Sequence, residues 1–267
     1  MIYSTTQNKF KRITYKILKT VLVAAFWILV WEAVACFVSR DNELMLLLLP
    51  RPITVFEKWL EIGFTAEYLH AVGETLARIF TGFIIGLLAG CVCGLLTYSL
   101  SIANTVLSPI IKVIRAVPVA AITILFFSLF NSDALPVCIV ALIVIPLIWQ
   151  TVHDGLSTAK VKTLEMARVF RLSPAKTFYY VRVPALLPSL LTATVNALGL
   201  AWKSGVAAEI ICEPNIALGT LLMQGKGMVD FSTVYAITLT VVILSLLIEF
   251  LLKNLCKNFV EKRRSDI

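Results

Sequence analysis

The chain has 267 residues, of which 59% are hydrophobic and only 15% charged, and its formal net charge is +8. Soluble domains carry about 25% charged residues, so this composition excludes a soluble globular protein and indicates a surface covered by lipid. Inside a bilayer the backbone must satisfy its own hydrogen bonds, which leaves helices or closed barrels. The apolar runs are long and uninterrupted, and they therefore favour helices.

Six membrane spans are predicted, each near the roughly 20 apolar residues that a bilayer requires. In chain order they are residues 17–38, 75–99, 105–130, 134–152, 184–210 and 232–256. The membrane domain, 17–256, contains a loop at 153–183 and lies between an N-terminal tail, 1–16, and a C-terminal tail, 257–267. The first span follows basic residues as in a signal peptide, but it is too long and lacks a cleavage site, so we expect a retained anchor.

Basic residues set the expected orientation, because Lys and Arg concentrate in cytoplasmic segments. If the N-terminus is inside, the two tails, the 97–116 turn and the 153–183 loop hold eighteen Lys and Arg residues, against five in the outer segments. We therefore expect both termini in the cytoplasm. This asymmetry also accounts for the positive net charge without nucleic acid as a partner.

Sequence signatures of catalysis and metal binding are absent. Neither H-E-x-x-H nor G-x-S-x-G occurs, and the two histidines, His70 and His153, are predicted on opposite faces of the membrane. The six cysteines lie in or beside spans and are interpreted as small apolar side chains. Residues 219–227 resemble a phosphate loop, but no Ser or Thr follows Lys226. We expect no enzyme and no cofactor, and any ATP must be hydrolysed by another chain.

The second span contains a regular glycine pattern, "TGFIIGLLAGCVCGLL". Glycine recurs every four residues, at Gly82, Gly86, Gly90 and Gly94. This spacing places four missing side chains on one stripe, which allows another helix to approach closely. The stripe indicates either a tight, sliding contact in a transporter core or an ordinary packed helix. Near the start of this span, Glu74 and Arg78 are spaced four apart and predict an ion pair.

The loop between the fourth and fifth spans contains the basic segment "LEMARVFRLSPAKTFYYVRVP", residues 164–184. Ser173 followed by Pro174 is typical of a helix start, with a capping hydroxyl and a proline at the first helical position. Two short helices are therefore predicted, and the first has an apolar stripe that is too broad for a solvated loop. The segment is either a docking element for a soluble partner or an interfacial helix whose lysines contact lipid head groups.

These residues resemble the EAA loop of ABC importer permeases, in which E-A-A is followed by three residues, G, nine residues and I-x-L-P. Glu165-Met166-Ala167 stands at E-A-A, and residues 181–184, "VRVP", stand at I-x-L-P in the same register. Arg171 occupies the glycine position. Glycine adopts a left-handed turn without steric cost, so Arg171 implies either a changed turn or a strain of about 1 kcal/mol.

Further segments resemble the nitrate/sulfonate/taurine-type branch of these permeases, over about residues 30–255. In chain order they are "WEAV" (31–34), "LPRPITVFEKWLE" (49–61), "ETLARIFTGFIIGLLAGCVCG" (74–94), "IRAVP" (114–118), "LGLAWKSGVAAEI" (198–210) and "ALG" (217–219). Their order and spacing together carry the resemblance more than any one motif does.

The resemblance implies an all-α membrane protein with six transmembrane helices, the type I ABC importer permease fold with cytoplasmic coupling helices, in a bacterial plasma membrane. It implies a permease subunit without a cofactor of its own, two partner ATPase subunits that bind and hydrolyse ATP, a second permease copy forming a homodimer, and an extracytoplasmic substrate-binding protein. The residues expected to couple to the ATPase are Glu165, Met166, Ala167, Arg171, Ser173 and Pro174. The implied substrate is a small anionic or polar solute, such as a sulfonate, taurine, nitrate or a vitamin precursor.

Two other classes of protein were weighed against this interpretation. A secondary transporter requires buried coupling charges or broken half-helices in both halves, whereas few charges lie inside the spans and no inverted repeat is evident. A membrane enzyme requires a convergent polar set, and the sequence provides none. An ATPase subunit that co-purifies in mild detergent would distinguish the permease from a secondary transporter.

Lys203 in the fifth span is a candidate pathway residue, together with Ser204 and Glu209. It lies about nineteen residues beyond Pro184, which corresponds to a depth of roughly 28 Å at 1.5 Å per residue. Small residues surround it, as expected for a helix that lines a narrow passage. Lys203 therefore either faces the outer pathway and assists an anionic or polar substrate, or it snorkels to the surface or pairs with another helix.

Overall fold

The structure is a computed structural model that describes residues 2–40, 47–158 and 161–265, and these residues form helices and connecting turns without a strand. The helices are α1 (Ile2–Ser39), α2 (Pro52–Gly63), α3 (Ala66–Ser99), α4 (Ser101–Ala116), α5 (Val119–Phe127), α6 (Leu135–Ser157), α7 (Val161–Val169), α8 (Pro174–Thr177), α9 (Val183–Cys212), α10 (Leu218–Gly227) and α11 (Phe231–Ser265). A π-helical turn, Phe178–Arg182, joins α8 to α9.

The predicted all-α membrane fold is confirmed. Five stretches of the described chain are long and apolar enough to cross a bilayer, namely Leu18–Ser39, Ala66–Ser99, Leu135–Ser157, Pro174–Cys212 and Phe231–Asn258. A sixth span is obtained if α4 and α5 are counted together.

The third span differs from the expected continuous stretch, 105–130. The α4 and α5 helices are bent by 99° at a short break. Val117, at the break, is extended with ψ 132°, and Pro118 precedes the first residue of α5. Proline lacks a backbone N–H and disfavours helical geometry in the preceding residue, so the helix ends at Ala116 although the apolar composition continues.

The chain divides into two compact units. Unit 1 comprises Met1–Phe64 and Gln224–Ile237, and unit 2 comprises Thr65–Met223 and Thr238–Ile267. The two segments for which the sequence predicts a role, the 153–183 loop and the glycine stripe, both lie in unit 2.

Unit 1 contains α1, α2 and the first residues of α11. The rings of Trp31 and Tyr235 lie 5.7 Å apart. Asp230 caps α11, because its carboxylate accepts hydrogen bonds from the backbone N–H of Thr233 at 3.1 Å and from the hydroxyl of Thr233 at 2.7 Å. Burial opposes ionisation of Asp230, but these hydrogen bonds outweigh burial and lower the pKa of the carboxyl group.

In unit 2, α6 is the central helix, and its most extensive contacts are with α3 and α9. Its Val- and Ile-rich sequence presents apolar side chains on several faces. Those with at most 2% exposure are Leu135, Ile139, Val140, Val144, Ile148, Val152 and Leu156. From α9, Ala201 and Trp202 pack into the same core, and the indole N–H of Trp202 donates to the carbonyl of Val241 at 3.0 Å.

The glycine stripe of α3 lies against α6. A Cβ atom added to any of the four glycines would lie only 2.6 to 2.8 Å from a Cβ of α6, in the pairs Gly82–Val140, Gly86–Val144, Gly90–Ile148 and Gly94–Val152. Since the contacting residues recur every four positions in both helices, the close approach extends over about three turns.

Candidate functional site

The first helix of the 153–183 loop, α7, ends in a left-handed turn at Arg171, which has φ 51°. The N–H of Arg171 donates to the carbonyl of Arg168 at 2.9 Å, and the N–H of Leu172 donates to the carbonyl of Ala167 at 3.0 Å. These two bonds define a Schellman motif, the usual helix ending at a glycine. Arg171 therefore keeps the turn that glycine would form and adopts a conformation that is strained for its own side chain.

The three residues at the E-A-A position face different surroundings. Ala167 is buried, with 4% exposure, whereas Glu165 is exposed and Met166 is 59% exposed. Val169 and Phe170 are also exposed, at 79% and 71%. The end of α7 therefore presents one carboxylate beside an apolar patch, while Ala167 faces the protein.

The second half of the loop begins with the predicted helix start. The backbone N–H of Lys176 donates to the hydroxyl of Ser173 at 3.3 Å, and Pro174 occupies the first helical position. Arg182 then joins this half to the helical core. Its guanidinium donates to the carbonyl of Leu156 in the last turn of α6 at 2.6 Å and lies 5.2 Å from the ring centre of Tyr98.

Arg182 is a functional candidate that sequence reasoning missed. In the sequence Arg182 was only the variable residue of I-x-L-P. Its position just before a span that begins with proline could have identified it as a candidate. A cation at a helix C-terminus interacts favourably with the free carbonyl groups there. Arg182 therefore connects the loop to α6 through charge and to α3 through Tyr98.

The three candidate pathway residues of α9 have different surroundings. Lys203 is exposed, Ser204 is 9% exposed, and Glu209 is fully buried. The structure does not bring Lys203 and Glu209 together, since six residues separate them by about 120° around the helix.

Glu209 belongs to a cluster that we call the Arg78 network, formed by Thr75, Arg78, Asp133, Glu209 and the 216–219 segment. The hydroxyl of Thr75 donates to Glu209 Oε2 at 2.9 Å, and Arg78 Nη1 lies 3.6 Å from Glu209 Oε1. Arg78 also donates to Asp133 at 2.8 Å and to the carbonyl of Ile216 at 2.7 Å. The predicted Glu74–Arg78 ion pair is present at 3.7 Å but is only one of four contacts of Arg78.

The start of α10 completes the Arg78 network. The backbone N–H of Gly219 points to Glu209 Oε2 at 3.4 Å, and that of Leu218 donates to the hydroxyl of Thr75 at 3.0 Å. Unpaired N–H groups and the helix dipole favour an anion at a helix N-terminus. A Cβ at Gly219 would overlap Glu209, coming within 2.6 Å of its backbone, so glycine is required for this contact.

Comparison with known proteins identifies the family of this chain. Residues 82–260 match the family model described as "Binding-protein-dependent transport system inner membrane component". A probable ABC transporter permease protein of Haemophilus influenzae is 26% identical, covering 92% of this chain and 98% of the relative. The putative aliphatic sulfonates transport permease protein of Bacillus subtilis is 25% identical, covering 83% of this chain and 79% of the relative.

Among solved structures, an amino acid ABC transporter crystallised with histidines has the same fold. It superposes with a TM-score of 0.65 at 19% identity, over 74% of this chain and 96% of the other. Because the family model covers well over half of the sequence, the chain belongs to the binding-protein-dependent transport system inner membrane components, the permease subunits of ABC importers.

Proposed function

We propose that the 153–183 loop is the docking element for a separate ATPase subunit, which binds and hydrolyses the ATP that drives import. The observation that carries this proposal is the exposed end of α7, where Glu165, Met166 and Phe170 lie together beside a well-defined turn. Met and aromatic side chains are enriched in protein interfaces, and exposed Met166 and Phe170 fit that pattern. Arg171, Ser173 and Pro174 determine the shape of this element.

The anchoring of the loop explains how docking would reach the membrane domain. Arg182 connects the loop to the carbonyl of Leu156 in α6 and to Tyr98 in α3. These two helices pack closely along the glycine stripe, where the glycines of α3 lie against Val and Ile side chains of α6. A displacement of α7 by the ATPase would therefore move α3, α6 and α9 together, because close-packed elements transmit displacement.

The remaining parts of the assembly are inferred from the family and from charge. The proposal includes two copies of this chain, two ATPase subunits and an extracytoplasmic binding protein, with both termini in the cytoplasm as the distribution of Lys and Arg indicates. The sulfonate permease among the relatives supports a small anionic or polar substrate. Exposed Lys203 and neighbouring Ser204 stay candidate pathway residues, while the burial of Glu209 supports a structural role for that carboxylate.

The docking proposal is tested by Glu165→Ala in the complete importer. We expect the yield of co-purified ATPase and the rate of transport to fall by about tenfold, which corresponds to about 1.4 kcal/mol of interface energy. Glu57→Ala is the matched control, since Glu57 is also an exposed carboxylate on a helix. Equal ATPase yield and equal transport for both variants would refute the proposed role of Glu165.

A further inference from the structure

We propose that a cavity between α4 and α6 is a binding subsite for a small monovalent oxyanion, an inference that rests on the proposed transport function and specifies its substrate class. The cavity has a volume of about 310 Å³, at the lower end of the range for small-molecule sites. Its polar lining includes Ser108, Lys112 and Arg115 from α4 and Gln150, His153 and Asp154 from α6. We call it the α4–α6 cavity.

The cations of the α4–α6 cavity lack carboxylate partners. Among the described residues, no ion pair within 4 Å includes Lys112 or Arg115, and Arg115 donates a hydrogen bond to the side-chain oxygen of Gln150. Both cations lie in the last two turns of α4, whose free carbonyl groups favour positive charge. The helix end can therefore hold them in place while they stay available to a ligand.

The charged side chains that line the cavity favour a ligand with a single negative charge. Lys112 and Arg115 contribute two positive charges and Asp154 contributes one negative charge, so these three side chains together carry one net positive charge. A monovalent oxyanion such as a sulfonate neutralises this lining. A divalent anion would leave one unbalanced negative charge next to Asp154.

Hydrogen bonds position the α6 side of the cavity. Nδ1 of His153 lies 3.1 Å from the hydroxyl of Thr97, which also accepts a hydrogen bond from the indole N–H of Trp149 at 2.9 Å. The rings of Trp149 and His153 are stacked with centroids 5.9 Å apart. Since Nδ1 is engaged, Nε2 is the nitrogen of His153 that is available to a ligand. The side chain is thus oriented before any ligand binds, which reduces the entropic cost of binding.

The α4–α6 cavity lies next to the break between α4 and α5. Arg115 lies two residues before Val117, where α4 and α5 are bent by 99°. Transporters frequently place solute sites at interrupted helices. An anion held by Arg115 would therefore lie next to this break, with the guanidinium offsetting the partial negative charge of the α4 C-terminus.

The phosphate of an anionic lipid offers the same oxyanion chemistry as a sulfonate, so the experiment must separate the two sources. The importer complex, purified in neutral detergent without its binding protein, is titrated calorimetrically with ethanesulfonate and with sulfate. We expect ethanesulfonate to bind more tightly than sulfate. Lys112→Gln and Arg115→Gln should each raise its dissociation constant about tenfold, as expected for loss of a hydrogen bond to a charged group.

Lys19→Gln is the control variant, because Lys19 is an exposed lysine at the start of the first span and lies outside the cavity. Unchanged ethanesulfonate affinity in both cavity variants, or no binding by the parent protein, would overturn the proposal. A second titration uses nanodiscs of phosphatidylcholine with and without phosphatidylglycerol. Phosphatidylglycerol binding that depends on Lys112 and Arg115, without ethanesulfonate binding, would identify a lipid site and also overturn it.

The same preparations separate this inference from the docking proposal. Lys112→Gln and Arg115→Gln should retain the ATPase subunit, because neither residue belongs to α7 or the turn after it. Glu165→Ala should lose the ATPase and still bind ethanesulfonate. If the subsite proposal is wrong, the calorimetry will show it. If the docking proposal is wrong, the yield of the complex will show it.

Discussion

The Arg78 network and the α4–α6 cavity lie near opposite ends of α6, and both contain arginine in a largely apolar protein. In the network, Arg78 contacts three carboxylates and a backbone carbonyl, and its side chain is only 11% exposed. In the cavity, Lys112 and Arg115 are exposed and form no ion pair with another described residue.

This difference shows how the surroundings of a charge indicate its role. A buried cation that is saturated by carboxylates holds helices together, and removing it leaves a buried charge without compensation. A cation without a carboxylate can be removed at little structural cost, and it is free to bind a ligand. The following predictions test this contrast, from the largest expected effect to the smallest.

Removal of Arg78 should have the largest effect. Arg78→Met leaves fully buried Glu209 without its cation, and we expect a loss of about 3–5 kcal/mol in stability. The measurement is thermal unfolding of the detergent-solubilised protein. Arg51→Met is the control, because Arg51 pairs with Glu32 at 3.8 Å on an exposed surface, where an ion pair contributes about 0–1 kcal/mol.

A second substitution tests whether the Arg78 effect arises from Glu209. Arg78→Met combined with Glu209→Gln should be less destabilised than the sum of the two single variants, since the uncompensated charge is then absent. Additive effects would show that Arg78 stabilises the protein through its other contacts.

The glycine stripe holds α3 against α6, and Gly86→Ala should weaken this contact. The new Cβ would lie 2.7 Å from Cβ of Val144 and 2.9 Å from the carbonyl of Ala141, so α3 must move away from α6. We expect a loss of about 1–3 kcal/mol, measured by thermal unfolding. Gly199→Ala is the matched control, because no atom lies within 4 Å of its added Cβ and alanine favours a helix by about 0.5–1 kcal/mol.

Arg171→Gly tests strain at the loop end of unit 2. Arg171 has φ 51°, a conformation that costs a residue with a side chain about 1–2 kcal/mol. Glycine removes this cost but gains freedom in the unfolded chain, so we expect a net stabilisation of about 0.5 kcal/mol with the same ATPase yield. A destabilised protein would show that the Arg171 side chain makes a compensating interaction.

The smallest effect is expected for the unpaired cations. Lys112→Gln should change the free energy of unfolding by less than about 0.5 kcal/mol, because it breaks no ion pair of the described residues. The measurement is the same unfolding experiment, with Arg78→Met as the contrasting variant. A loss comparable to that of Arg78→Met would remove the distinction between the two regions.

The loop shows where sequence reasoning succeeded. The start of α8 at Ser173 and Pro174 was predictable because a cap and a first-turn proline act over three residues. At Arg171 the sequence left two alternatives, a changed turn or strain. The structure has the strained turn, because the N–H groups of Arg171 and Leu172 find acceptors only when the backbone is left-handed.

The sequence by itself determined the helical membrane fold and the spacing of the glycine stripe, because bilayer length, helix period and capping are local properties. Only the tertiary structure decided the partners of Arg78. Local spacing identified Glu74, four residues away, whereas Asp133 and the carbonyl of Ile216 lie 55 and 138 residues along the chain. Such contacts depend on how distant helices pack, and that packing also produced the α4–α6 cavity.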